Sequence, residues 1–235
     1  MNETVFDWER NDTVRPSMRN AICWSAVLTM CVVGTARAQG ELTAPTASSR
    51  WSVDSAYTVG AGANVFAGSV GYPGLDLRLI HGLDATTDVN AHVGINYAFE
   101  GITRGTRFEF TAQVGIRKEL ANVGGNMKLS GKFDPGIIVA SSPGEFGLKI
   151  PFGLELGIPL SSVLTMNASF DLPLFFTFGD FSAFYIPVLF GTGVEYLVNP
   201  NLAITGKIKV GPTFGTNGFP TSFTLYALFG VAYKF

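Results

Sequence analysis

The sequence predicts an all-β fold, an antiparallel up-and-down β-barrel that spans a membrane, most simply with ten strands and with eight or twelve as the neighbouring counts. Three observations point there. Hydrophobic residues make up 47% of the 235 residues and charged residues only 14%, well below the quarter usual in a soluble domain. Beyond the first forty residues, however, no apolar run approaches the eighteen or more needed for a spanning helix. Instead, apolar and polar residues alternate with period two along almost the whole remainder, the pattern of strands with two unlike faces. The formal charge of −2 gives no electrostatic support for nucleic-acid binding.

The chain divides into residues 1–38, 39–50 and 51–235. Ala21 to Gly34 forms a short apolar core after Arg15 and Arg19, and Ala36-Arg37-Ala38 follows with the small-x-small spacing of a signal-peptidase site. This is the three-part pattern of a secretory signal peptide, with cleavage expected after Ala38. Residues 1–17 are polar and carry both charge signs, so Met18, followed by Arg19, reads as the translational start. Cys23 and Cys31 both lie in the signal, which excludes disulfides and thiol chemistry from the exported part. Met30 before Cys31 does not suit a lipoprotein site. Residues 39–50, rich in Ala, Thr and Ser, read as a flexible lead-in.

Ten strands are expected, at 51–66, 73–83, 86–99, 105–118, 124–140, 145–158, 163–178, 182–198, 202–214 and 221–235. In the third, Val89, Ala91, Val93, Ile95, Tyr97 and Phe99 share one face, and Asn90, His92, Gly94 and Asn96 the other. In the fourth, Phe108, Phe110, Ala112, Val114 and Ile116 oppose Arg107, Glu109, Thr111, Gln113 and Arg117. The fifth keeps one parity (Met127, Leu129, Phe133, Ile137, Val139) straight through Asp134-Pro135-Gly136, and so reads as one strand with a local irregularity. An even count puts both ends of the barrel chain on one side. The short links at 83–86, 159–162 and 199–201 belong to that side, and 67–73, 100–105, 141–145 and 215–220 to the other. Strands of about fifteen residues at ~3.3 Å each, tilted ~40°, rise roughly 38 Å and overshoot a ~25 Å apolar band. Trp51, Tyr57, Tyr97, Phe178, Phe184, Tyr196 and Tyr233 fall toward strand ends, where aromatic girdles are expected.

The last strand carries the sharpest motif. Phe223, Leu225, Ala227, Phe229, Val231, Tyr233 and Phe235 alternate with Thr224, Tyr226, Leu228, Gly230, Ala232 and Lys234. With its terminal Phe235 and the further aromatic Tyr233 two positions earlier, this strand resembles the final strand of bacterial outer-membrane β-barrel proteins. The resemblance implies a porin-like barrel of the Gram-negative cell envelope. It implies recognition of Phe229, Val231, Tyr233 and Phe235 by the barrel-assembly machinery, and outer-membrane lipids as the surroundings. It does not indicate an oligomeric state.

The inward parity carries Asp76, Arg78, His92, Arg107, Glu109, Arg117, Lys128, Lys132, Asp134, Lys149, Glu155, Asp171, Glu195, Lys207, Lys209 and Lys234, nine Lys or Arg against six Asp or Glu. Such charges must either pair and plug the lumen or line a narrow wet channel. Ten strands lie near the filled end of the size range, while inward Gly153, Gly157, Gly191, Gly193 and Gly230 leave some space. The expected role is a structural barrel or a narrow small-solute pore with mild anion preference. The alternatives are an adhesin-like binding barrel, which the short outer links disfavour, and a barrel enzyme acting on lipid or peptide. Only His81 and His92 are available for acid–base work; His81 falls on the outward parity, and a lone luminal His92 is the usual member of a structural polar network. No cluster has metal-ligand spacing, so neither catalysis, a metal nor a cofactor is expected.

Overall fold

The computed structural model describes residues 50–102, 108–141, 145–179, 182–216 and 221–235. The expected signal peptide with Ala36 and Ala38, most of the expected lead-in, and Arg107, which was expected to face inward, lie outside these residues. Among the described residues twelve strands follow one another: β1 (Asn64–Tyr72), β2 (Gly74–Gly82), β3 (Thr87–Asn96), β4 (Glu109–Gly124), β5 (Met127–Phe133), β6 (Gly136–Ala140), β7 (Glu145–Pro159), β8 (Leu164–Phe178), β9 (Ala183–Pro187), β10 (Leu189–Asn199), β11 (Leu202–Gly215) and β12 (Ser222–Lys234). All pair antiparallel with their neighbours, and β1 closes on β12 from Val65↔Lys234 to Tyr72↔Ala227. Closure leaves no free sheet edge among the described strands.

The twelve strands occupy ten positions in the wall. β5 and β6 both pair with β4 on one side and β7 on the other. The break between them falls at Asp134-Pro135, where proline has no N–H to give the ladder; the Pro135 carbonyl still accepts from Val114 N at 3.0 Å. This is the expected long strand with an irregularity. β9 and β10 likewise share β8 and β11 as neighbours. Between them, Val188 N bonds to Pro212 O at 2.9 Å and keeps the wall continuous.

One expectation fails at the start of the chain. Residues 51–63 are not the first strand; the wall begins at Asn64, and the supposed outer link 67–73 is mostly β1. The count of ten survives because β1 takes the missing place. The reason is enclosure: Trp51, Ser52, Val53, Ser55, Ala56, Tyr57, Thr58 and Val59 are all buried, on both parities. A wall strand shows one face to the outside, whereas this segment is surrounded. The chain then bends at Gly60 (φ 93) and Gly62 (φ 71), a conformation glycine adopts without the Cβ clash of other residues. Trp51 and Tyr57 are accordingly inside the barrel and not in an outer girdle.

The hairpin ends also move. β4 runs to Gly124, and the Gly125-Asn126 link, with both φ positive (57 and 65), is the tight two-residue turn that suits strand twist. Outside, the wall is apolar: Val70, Val114, Phe190 and Phe229 are each more than 60% exposed. Tyr97, Phe178, Tyr196 and Tyr233 stay on that outer face as expected. Phe184 stacks on the exposed Phe176 at 4.2 Å.

Candidate functional site: the barrel lumen

The lumen has three layers along its length, best followed from the end that carries Asn64 and Phe235 (the terminal end) to the opposite loop end. At the terminal end the buried segment 51–59 fills the barrel. The wall grips it largely through its main chain. Arg117, from β4, donates to the carbonyl oxygens of Ser55 (2.8 Å), Val53 (3.2 Å) and Ser52 (2.8 Å). Its remaining donors pair with Asp88 of β3 at 2.5 and 3.2 Å. The planar fork of arginine makes this many fixed contacts possible at one residue. Glu195, from β10, accepts from Val53 N (2.9 Å), Asp54 N (3.1 Å) and the Ser52 hydroxyl. Asp88 accepts from Val59 N at 3.2 Å, and Lys234 donates to Val59 O at 2.7 Å. Trp51 Nε1 donates to Pro200 O at 2.8 Å, in a turn of the terminal end. An apolar cluster of Trp51, Val53, Val59, Val65, Ile80, Leu197, Ala203 and Ala232 packs around these bonds.

The middle layer is charged, and its charges are paired. Lys132 reaches Glu155 and Asp171, each at 2.7 Å, and Lys209 reaches Asp171 at 2.8 Å. Lys207 meets Asp54 of the inserted segment at 2.9 Å, and Arg78 lies 3.6 Å from the same carboxylate. His92 Nε2 is 2.8 Å from Asp76, and Lys128 is 2.6 Å from Glu119 nearer the terminal end. Removing one partner of such a buried pair strands the other's charge, which is what makes the layer coherent. Between these groups lies a cavity of about 120 Å³, room for several waters. Arg78, Lys132, Lys149, Lys207, Lys209 and His92 contribute to its lining.

The loop end is closed differently. A one-turn 3-10 helix, Phe99–Gly101, folds inward after β3. Phe99 packs edge-on against Phe175 (5.5 Å) and Tyr185 (5.8 Å), which stack on each other at 4.6 Å. Ile102, Ile138 and Ala140 complete the apolar plug. Beneath it Glu100, at φ 46, accepts from Lys149 at 2.6 Å. Its N–H bonds to Glu109 at 2.7 Å and its carbonyl accepts from Tyr226 at 3.1 Å.

The structure places Arg78, His92, Glu109, Arg117, Lys128, Lys132, Lys149, Glu155, Asp171, Glu195, Lys207 and Lys209 on the inner side of the wall, with Asp76, Asp134 and Lys234. Phe229, Val231, Tyr233 and Phe235 face out and are exposed. Five luminal carboxylates among the described residues were not anticipated, one of them Glu145 at the start of β7. Asp54 was assigned to a wall strand and Glu100 to an outer link; Asp88 and Glu119 carry the inward parity of their strands and were readable from it. With these five, the surplus of basic over acidic groups in the lumen disappears among the described residues. His81 faces outward and bonds to Asn64 at 2.9 Å.

No protein-family model and no curated protein matches this chain. Among solved structures, similarity is found to a loop L8 deletion mutant of OmpT, an outer membrane protein of Vibrio cholerae, at 14% identity and TM-score 0.35. The match covers 74% of this chain and spans 60% of that one.

Proposed function

We propose that this chain is an integral outer-membrane β-barrel that is closed at rest, a structural barrel and not a standing diffusion pore. The observation that carries this is the inversion of a soluble protein. The outer surface presents Phe66, Val70, Val114, Phe190, Phe229 and many like them, while the charges are inside and paired. Burial of apolar surface is the main drive for folding in water, so such an exterior requires lipid in place of water. In lipid every backbone polar group must be bonded internally, a demand that the β1–β12 closure meets. The exposed, alternating end of β12 (Phe229, Val231, Tyr233, Phe235) supports docking to the barrel-assembly machinery. The absence of a basic surplus in the described lumen argues for no resting anion preference. We read the barrel as non-enzymatic, since His92 is engaged by Asp76 within the charged layer. Hydrolysis of lipid or peptide that is lost in His92→Ala would contradict that reading.

Membrane placement is tested by expressing the full chain with its leader and washing the envelope fraction with alkaline carbonate. The protein is expected to stay in the outer-membrane pellet and to migrate faster on gels before boiling than after. Release into the soluble fraction would refute the assignment.

A further inference from the structure

We propose that Asp54 is a built-in substitute for a solute: beneath the inserted segment, Arg78 and Lys207 form an anion site that takes a small carboxylate or phosphate when the segment withdraws. This rests on the reading of a barrel closed by its own segment. Most luminal cations are neutralised by the wall itself, as Lys132 and Lys209 are by Asp171 and Glu155. Lys207 is different. Among the described residues, the carboxylate within ion-pair range of its ammonium is Asp54, which belongs to the inserted segment and not to a strand. Arg78 also faces Asp54, and a second of its bonds, at 3.2 Å, goes to Val53 O of the same segment; its wall partner Asp76 lies farther off, at 4.0 Å, and is shared with His92. An ammonium held in a mostly buried site demands an anionic partner, so Lys207 requires a replacement once Asp54 leaves, with Arg78 beside it as the second cation.

Two features suit that departure. The grip on residues 52–59 is mostly on carbonyl and N–H groups, which water or another polar solute can replace. The bend at Gly60 and Gly62, both at positive φ, gives the segment a pivot where it joins the wall. Behind Asp54 the cavity of about 120 Å³, lined by Arg78, Lys207, Lys209 and Lys132, provides space for a small anion. The carboxylates there, Asp76, Asp134 and Asp171, already bond to His92, Asn90 and the two lysines. They therefore do not compete for Lys207 at ion-pair range.

The test is chemical rescue in the full chain, with Trp8 and Trp24 replaced by Phe so that Trp51 in the inserted segment is the sole tryptophan. The protein is refolded in neutral, lipid-free detergent, so any anion response belongs to a soluble species and not to a lipid headgroup. Asp54→Ala is expected to lower the unfolding midpoint by several degrees and to raise acrylamide quenching of Trp51. Acetate or inorganic phosphate should restore the midpoint saturably, while chloride at equal ionic strength should not. Adding Lys207→Met to Asp54→Ala should abolish the restoration. Rescue by chloride, or undiminished rescue in the double variant, would overturn the proposal. Should Asp54→Ala fail to fold, the near-isosteric Asp54→Asn carries the same comparison, with saturable phosphate binding by calorimetry expected and its absence decisive against the site. A wild-type barrel that conducts at rest would contradict the closed reading while leaving this rescue outcome intact, so the two failures are distinguishable.

Discussion

At the terminal end the lumen is filled by a segment that the wall holds through hydrogen bonds to its main chain; at the loop end it is filled by aromatic rings and a one-turn helix. Arg117, Glu195 and Lys234 bind carbonyl and N–H groups of residues 52–59, whereas Phe99, Phe175 and Tyr185 pack ring against ring. Main-chain hydrogen bonds contribute modestly each, because water offers nearly as good a partner. Ring packing in a dry cluster has no such replacement. The difference teaches that closing a narrow barrel and keeping it closed are separate matters: the terminal closure adds exchangeable main-chain bonds to an apolar cluster around Trp51, Val53 and Val59, whereas the loop-end closure is built on ring packing.

Substitutions can break this comparison from either side. Arg117→Ala removes five bonds at once and leaves Asp88 buried without its cation. A loss of about 4 kcal/mol is expected from such a broken buried pair, together with a large rise in Trp51 quenching, read by denaturant unfolding in detergent and by fluorescence. Phe175→Ala should cost about 3 kcal/mol through the cavity it leaves. Trp51 should remain protected in that variant, because the ring lies at the other end. Equal quenching in both variants would show that the two closures are one cooperative unit. Gly60→Ala forces a side chain into the left-handed region and should cost about 1 kcal/mol. Its effect is expected in Trp51 exposure and not in the loop-end cluster.

The wall was legible in the sequence because period-two alternation is a local signal and the outer face is uniformly apolar. Val93, Ile95, Val114 and Ile116 fall outward and His92, Gln113 and Arg117 inward, as their parity demands. The inserted segment was not legible, for a physical reason. Trp51, Val53, Ser55, Tyr57 and Val59 alternate with smaller and polar residues much as a strand does. Nothing local tells an extended peptide in the wall from one enclosed by the wall. The signal that was available is the Gly60-Ala61-Gly62 interruption, which marks a bend. Glu100 was hidden for a similar reason, since a short link between strands gives no sign that it folds inward. The pairing of the charges was also beyond the sequence, because Arg117 and Asp88, or Lys207 and Asp54, meet only through the register of the closed barrel.

Both closures bear on one quantity, the ion flow through the intact lumen. The most direct measurement is the conductance of the full-length wild-type protein in planar lipid bilayers, with folded insertion verified by heat-dependent gel migration. The account predicts a silent bilayer at low voltage after confirmed insertion. Stable, ohmic current steps from the folded wild-type barrel would contradict it.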